Sequence, residues 1–160
     1  MAKKLEGSQT VLAVFAAGED RALLDNVFGG SDWKLRYTRT LAETQAALHR
    51  SPVEAVLSEG HLCDGYSWRD VLHELQNTPN PPPLIVVDRL ADERLWAEVL
   101  NLGGYDVLMK PFDARELFRA VSMACRFCEN QRERTSASSK PLKPAEQSRT
   151  ETIAHAASGG

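Results

Sequence analysis

Residues 84–112 read LIVVDRLADERLWAEVLNLGGYDVLMKPF, and this stretch decides the fold. Its first four residues are apolar and rich in β-branched side chains, which predicts a strand buried on both faces. Large apolar residues then recur at helical spacing as far as Leu102, and the pair Gly103-Gly104 ends the helix. Residues 105–109 form a second apolar run. The stretch therefore predicts a strand, a helix and a further strand.

The same alternation extends outward from this unit. Short apolar or alternating runs predict three earlier strands, at residues 11–15, 33–37 and 55–57. Helical spacing predicts a helix after each strand, and Asp113 followed by Glu116 marks the start of the last one. Five strands alternating with five helices predict an α/β fold, in which one doubly wound parallel sheet is covered by helices on both faces.

The composition is that of a globular domain followed by a polar tail. The chain has 160 residues, of which 42% are hydrophobic and 26% charged. From about Asn130 onward, Ser, Thr, Ala, Lys, Glu, Pro and Gly predominate, and such a segment cannot bury enough apolar surface to offset its ordering entropy. We therefore predict an N-terminal extension over residues 1–9, a folded domain over 10–129 and a disordered tail over 130–160.

Charge and cysteine content narrow the class of protein. A net charge of -3 argues against a nucleic-acid partner. Three cysteines do not form a disulfide framework, so we expect a cytoplasmic location. The apolar run at residues 11–17 follows Lys3 and Lys4, but it is short and Glu6 separates it from them, so we interpret it as a buried strand rather than a secretion signal. We expect no membrane association, since no stretch approaches ~20 apolar residues.

Three short segments keep the order and spacing of a known family. Met109-Lys110-Pro111-Phe112 follows the fifth strand, residues 102–106 (LGGYD) precede it, and residues 62–65 (LCDG) lead into the third helix. With them, residues 10–129 resemble a response-regulator receiver domain (CheY-like), a bacterial two-component signalling module. The resemblance implies a flavodoxin-like sheet of five parallel strands in the order 2-1-3-4-5.

In that family, an aspartate ending the third strand accepts a phosphoryl group, and two acids after the first strand hold Mg²⁺. Here Glu59 takes the phosphoacceptor place, with its carboxylate about 1.5 Å further out. Glu59 is either a permanent charge that partly imitates the phosphorylated aspartate or a solvated acid at a strand end. Phe15 and Ala16 stand in place of the two acids and cannot ligate a cation. Glu19 and Asp20 better fit the first turn of a helix, where acids favour the helix dipole.

At two further positions this chain differs from the family's residue, and at one position it keeps that residue. Asp88 replaces the Ser or Thr that binds phosphoryl oxygens, and Val107 replaces the switching aromatic residue. Tyr105 lies two positions from Val107, so we expect it to face the same way in the strand. Lys110 is the retained lysine. With Glu59 and Asp88 nearby, we expect it to form a standing ion pair or triad.

These departures predict a degenerate receiver, or pseudo-receiver, in which Mg²⁺-dependent phosphotransfer is lost or badly impaired. We expect no catalytic residue, no enzyme activity, no cofactor and no metal site, and regard Mg²⁺ binding as doubtful. The resemblance implies a stand-alone phosphorelay module that acts through contacts with a histidine kinase or a downstream effector. The expected surface comprises the fourth helix, fifth strand and fifth helix, and it is compatible with a homodimer.

A second hypothesis belongs to another class. The chain is then a small flavodoxin-like enzyme or ligand-binding domain that uses Glu59, Asp88 and Lys110, because two carboxylates and a lysine support acid–base chemistry when their pKa values are split. A deep pocket at the strand ends or a perturbed titration of Lys110 favours this hypothesis. A shallow, self-neutralised site favours the signalling module.

Overall fold

The computed structural model describes residues 9–16 and 18–138. Five strands and five helices alternate along them, as the sequence predicts. In chain order the elements are β1 (Thr10–Val14), α1 (Glu19–Phe28), β2 (Lys34–Thr38), α2 (Leu41–Arg50), β3 (Ala55–Glu59), α3 (Trp68–Gln76), β4 (Leu84–Asp88), α4 (Glu93–Leu102), β5 (Asp106–Met109) and α5 (Ala114–Ser138).

The strands form one sheet in the order β2-β1-β3-β4-β5, and every neighbouring pair is parallel. This confirms the α/β class and the strand order 2-1-3-4-5. Because all the strands run the same way, their carboxyl ends meet along one edge of the sheet. Open parallel sheets bind ligands at this edge.

Side chains alternate along the strands and divide the core into two halves. One half contains Val11, Ala13 and Phe15 and packs against α1 and α5. The other contains Leu12 and Val14 and packs against α3 and α4. Both faces of the sheet are therefore covered, which explains why its central strands read as continuous apolar runs.

The observed boundaries differ from the predicted ones at a few places. Strands β1 and β2 are shifted by one residue relative to the predicted runs, and β5 begins at Asp106 rather than Tyr105. Helix α5 continues past Asn130 to Ser138, into the segment predicted to be a disordered tail. The rest of that tail, residues 139–160, and residues 1–8 of the predicted extension lie outside the described residues.

The chain divides into two units, one that ends at Cys128 and one that begins at Glu129. In the part that the structure describes, no helix combines the length and apolar character needed to cross a membrane.

Capping residues fix where several helices begin. The Thr40 hydroxyl accepts the backbone N–H of Glu43 at 3.1 Å and so caps α2. Ser67 and Asp70 form a complete capping box at the start of α3. Each cap satisfies a donor that the first turn of the helix leaves unpaired.

Gly103 ends α4 in the left-handed conformation, with φ 109°. A side chain there would be strained, and its Cβ would lie 2.8 Å from Nε2 of Gln76, which donates a hydrogen bond to the Leu102 carbonyl. We predict that Gly103→Ala lowers the free energy of unfolding by about 1–2 kcal/mol. Urea denaturation followed by circular dichroism measures the loss. Gly30→Ala is the matched control, because no atom lies within 4 Å of its added Cβ; an equal loss in both variants would contradict the prediction.

Candidate functional site

Five chain segments meet at the carboxyl edge of the sheet. The end of β1 brings Phe15 and Ala16, and β3 ends at Glu59. The first turn of α1 brings Asp20, β4 ends at Asp88, and Lys110 follows β5. The parallel sheet thus places the residues that the sequence singled out along one edge.

The Lys110 ammonium is held between two carboxylates. Its Nζ donates to Oε2 of Glu59 at 2.5 Å and to Oδ2 of Asp20 at 2.7 Å. The three side chains are largely buried, with exposed fractions of 11% for Lys110, 15% for Glu59 and 23% for Asp20. The expected ion pair between Lys110 and Glu59 is therefore present. We call these three residues the lysine cluster.

Glu59 also reaches across to the first strand. Its second oxygen, Oε1, accepts the backbone N–H of Ala16 at 2.5 Å. The longer side chain of glutamate thus spans from the chain after β1 to the ammonium after β5. Both oxygens of the carboxylate therefore have a donor within the protein.

Phe15 forms an apolar wall under the lysine cluster. Its side chain is fully buried, and its ring packs against Phe112 with centroids 6.2 Å apart. The Lys110 Nζ lies 5.2 Å from the centre of the Phe15 ring, within the range of a cation–π interaction. At the position where the resemblance implies a metal-binding acid, this chain has a ring that lies near an ammonium.

Charge balance within the cluster keeps Lys110 protonated. Burial alone would lower the pKa of Lys110, but the hydrogen bonds and charges of Asp20 and Glu59 outweigh it and raise the pKa above its ordinary value. A base must be available in its neutral form near neutral pH. The raised pKa favours the charged ammonium over the neutral amine that a base would need.

The expectation that Asp88 completes a triad with Lys110 is wrong, because Asp20 takes that place. One oxygen of Asp88 accepts the N–H of Leu90 at 2.9 Å, so the side chain folds back onto its own loop. The other lies so close to Gly60 that a Cβ there would be 2.1 Å from it. Asp20 belongs to the first helical turn, as expected, but that turn begins directly above the sheet edge. An acid in the first turn of α1 can therefore also bond the Lys110 ammonium.

The residues at this edge do not fit a divalent cation. Phe15 and Ala16 offer no side-chain oxygen, and the Asp20 and Glu59 carboxylates already accept from Lys110. Across residues 9–16 and 18–138, no group of three or more His, Cys, Asp or Glu side chains is arranged to hold a metal ion. An ammonium occupies the space between carboxylates that a cation would need.

The loop after Glu59 is held in place by the neighbouring helix. The Asp64 carboxylate accepts the N–H of Leu41, at the start of α2, at 2.9 Å. The Cys63 thiol donates to the Arg39 carbonyl at 3.2 Å. The approach to the lysine cluster is therefore bordered by a loop with fixed contacts.

Val107 and Tyr105 lie on opposite faces of the sheet, so the expectation that they face the same way is wrong. Val107 packs against the core half next to α3 and α4. Tyr105 packs against the other half, with its ring 5.3 Å from that of Phe127. Tyr105 precedes β5, so strand alternation does not apply to it. It does not replace the missing aromatic residue beside Val107.

Val107 opens onto a groove on the surface formed by α4, β5 and α5. The groove is a cavity of about 300 Å³, and it is lined by Ala91, Asp92, Glu93, Trp96, Val107, Met109 and Glu116. Trp96 is 50% exposed and Met109 55% exposed. Large apolar side chains are thus presented on the surface where the sequence analysis expects protein contacts.

Several solved structures that are similar to this chain are receiver domains. The signal receiver domain of a LuxO repressor protein from Vibrio parahaemolyticus is 20% identical, with a TM-score of 0.72 over 77% of this chain and 94% of its own. That of an HD domain-containing protein from Pseudomonas fluorescens is 24% identical, with a TM-score of 0.71 over 79% and 93%.

A third similar structure is the receiver domain of a sensor histidine kinase from Pseudomonas aeruginosa, which has a magnesium ion coordinated in its active-site cleft. It is 18% identical, with a TM-score of 0.65 over 74% of this chain and 98% of its own. No family model and no curated protein matches the sequence. At these identities, the comparison establishes the receiver fold.

We predict that Lys110→Met lowers the free energy of unfolding by about 1–3 kcal/mol, because it leaves two neighbouring carboxylates without a counter-charge in a partly screened site. Urea denaturation at pH 7 measures the loss. In a Glu59→Gln background the same substitution should cost about 1 kcal/mol less, since one of the two charges is gone. Lys34→Met is the matched control at an exposed position.

The loss should also depend on pH with a defined sign. Folding raises the pKa of Lys110, so its contribution is complete below the ordinary value of 10.5 and is lost as the pH rises through the raised value. The stability gap between wild type and Lys110→Met should therefore narrow above about pH 10.5. A gap that stays constant to pH 12, or equals that of Lys34→Met, would contradict the ion-pair interpretation.

Proposed function

We propose that this chain is a receiver-like signalling module of a two-component or phosphorelay pathway, and that its output does not require phosphorylation. The receiver fold supports the general role, because the similar structures are receiver domains. Receiver domains are signalling modules and not enzymes, so the fold also favours a non-enzymatic role.

The single observation that carries the proposal is the closed lysine cluster. In receiver domains, the lysine binds the oxygens of the incoming phosphoryl group. Here the Lys110 ammonium is already bonded to Glu59 and Asp20. One positive charge faces two negative ones, so the cluster carries a net negative charge that repels a phosphoryl group. Phosphoryl transfer depends almost entirely on positioning and electrostatic stabilisation, and this arrangement offers neither.

The same geometry supports a permanent substitute for phosphorylation. Glu59 carries a negative charge at the phosphoacceptor position and bonds the retained lysine. It also accepts the Ala16 N–H, so its head is fixed relative to the first strand. We propose that this carboxylate keeps the loop after β5 in the position that a phosphorylated aspartate would otherwise maintain.

Protein contacts are proposed for the α4–β5–α5 surface. Trp96 and Met109 line one groove there and are half exposed, and Leu90 is 81% exposed. Aromatic and methionine side chains are enriched where proteins bind one another. The proposed partner is a histidine kinase or a downstream effector, and a homodimer uses the same surface. A cytoplasmic location and the absence of nucleic-acid and membrane partners stay predictions.

The alternative of an enzyme or ligand-binding domain has less support. It required Glu59, Asp88 and Lys110 to act together, whereas the Asp88 carboxylate bonds its own loop. The pKa of Lys110 is perturbed, but upward, which is opposite to what a lysine base needs. The Lys110 ammonium is already paired with carboxylates of the protein itself, and this favours the signalling module.

We predict that the wild-type chain gains no label with acetyl phosphate and Mg²⁺, because the lysine cluster excludes both the ion and the phosphoryl group. A phosphate-affinity gel measures this, with a receiver domain that retains its aspartates as the positive control. A shifted, hydroxylamine-labile band that appears in wild type and disappears in Glu59→Gln would refute the proposal.

We predict that Trp96→Ala lowers recovery of the partner by about tenfold in co-purification with the tagged chain, because a central aromatic side chain carries much of the binding energy of an interface. Glu59→Ala should lower recovery of the same partner if the carboxylate maintains the active-like state. Tyr66→Ala, a 47% exposed aromatic residue in the loop after β3, is the matched control. If the wild type and the three variants recover equal amounts of the partner, the result contradicts a role for the α4–β5–α5 surface.

A further inference from the structure

Among the residues that the structure describes, strand β2 has a free edge at the side of the sheet opposite β5. Within these residues it pairs with β1 alone, since the strand order is β2-β1-β3-β4-β5. Lys34 donates its N–H to Gln9, and Thr38 accepts from Phe15, so residues 34, 36 and 38 direct their backbone groups toward β1. Alternation then turns the N–H and C=O groups of Leu35 and Tyr37 outward. An unpaired strand edge of this kind is a template for another strand.

A groove runs beside this edge, between β2 and α2. It is a cavity of about 440 Å³, and its lining comprises Arg36, Tyr37, Thr38, Glu43, Ala46, Ala47 and Arg50. Two small residues of α2, Ala46 and Ala47, leave space next to the strand. Arg36 and Arg50 come from different elements and line the same groove.

The groove has positive charge that the described part of the chain does not neutralise. Arg36 donates to the Ser51 hydroxyl at 3.0 Å, and within residues 9–16 and 18–138 neither Arg36 nor Arg50 forms an ion pair. The lining also contains one acidic side chain, Glu43, whose Oε1 accepts the Arg39 N–H at 2.8 Å, so two arginines face one carboxylate. Exposed Lys34 and Arg39 flank the strand at its two ends.

We propose that the β2 edge binds an acidic, extended segment of another protein, which adds a sixth strand to the sheet. Its backbone pairs with Leu35 and Tyr37. On one face its carboxylates lie between Arg36 and Arg50. On the other face its apolar side chains lie next to Leu35 and Tyr37, which are partly exposed. Main-chain pairing supplies affinity in this mode of recognition, and the side-chain pockets supply specificity. The inference is independent of the proposed function, because it concerns the opposite edge of the sheet.

The charge of the remaining chain favours an occupant from another protein. Residues 1–8 contain two lysines and one glutamate, and residues 139–160 contain three basic and two acidic residues: Lys140, Lys143, Arg149, Glu146 and Glu151. Neither segment is acidic, so neither complements the two arginines. An acidic partner segment does.

The test uses a fluorescein-labelled peptide of four Val-Glu repeats, whose alternation places every carboxylate on one face of a strand. Fluorescence anisotropy with the full chain should show saturable binding. The amide signals of Leu35 and Tyr37 should shift in nitrogen–proton correlation spectra. The double variant Arg36→Gln, Arg50→Gln should weaken binding about tenfold or more. The double variant Arg119→Gln, Arg126→Gln, which makes the same charge change at exposed positions of α5, should bind as wild type does.

Two further peptides separate strand pairing from simple charge attraction. A Val-Gln version removes the carboxylates, and a version with alternate N-methylated amides keeps them but cannot pair on the side that faces β2. Both should bind at least about tenfold more weakly. Equal binding of the N-methylated peptide, equal losses in the two double variants, or no saturable binding at millimolar protein would each overturn the proposal. Arg50 is exposed, so the single variant Arg50→Gln should melt as wild type does when its melting is followed by circular dichroism. This measurement distinguishes a folding defect from a loss of binding.

Discussion

The Lys110 ammonium determines how the charged side chains at the carboxyl edge of the sheet are arranged. The Lys110 Nζ bonds a carboxylate from β3 and a carboxylate from α1, so a single charge joins three segments at the carboxyl edge of the sheet. In a receiver that accepts a phosphoryl group, this lysine has to be available to the incoming oxygens. Here the Glu59 and Asp20 carboxylates of the protein itself already accept from it.

The sheet and the site depend on different residues, so the receiver fold does not require the side chains of a phosphotransfer site. The fold requires apolar side chains that alternate between two core halves, and β1, β3 and β4 supply them. The phosphotransfer site requires particular oxygen ligands at strand ends, where packing imposes little. Substitution at the strand ends therefore changes the function without removing what stabilises the sheet.

Much of this arrangement could be predicted from the sequence, and the errors have physical reasons. Strands were located to within about a residue or two because buried parallel strands are unbroken apolar runs. The Lys110–Glu59 pair followed from the convergence of strand ends. Asp20 is not predicted to bond Lys110, because the helix dipole is a sufficient reason for an acid in the first turn of a helix. The side of Tyr105 was misjudged because alternation holds only within a strand, and β5 begins one residue later. The extension of α5 to Ser138 escaped notice because a polar helical segment shows no apolar period.

The buried ring of Phe15 makes it difficult to introduce an acid at this position by a single substitution. Its ring is fully buried between Phe112 and the ammonium, so an acid introduced there would put a charge into a space shaped for a ring. An acid at this position would destabilise the domain unless Phe112 and the lysine cluster changed with it, so a carboxylate ligand here requires several substitutions made together.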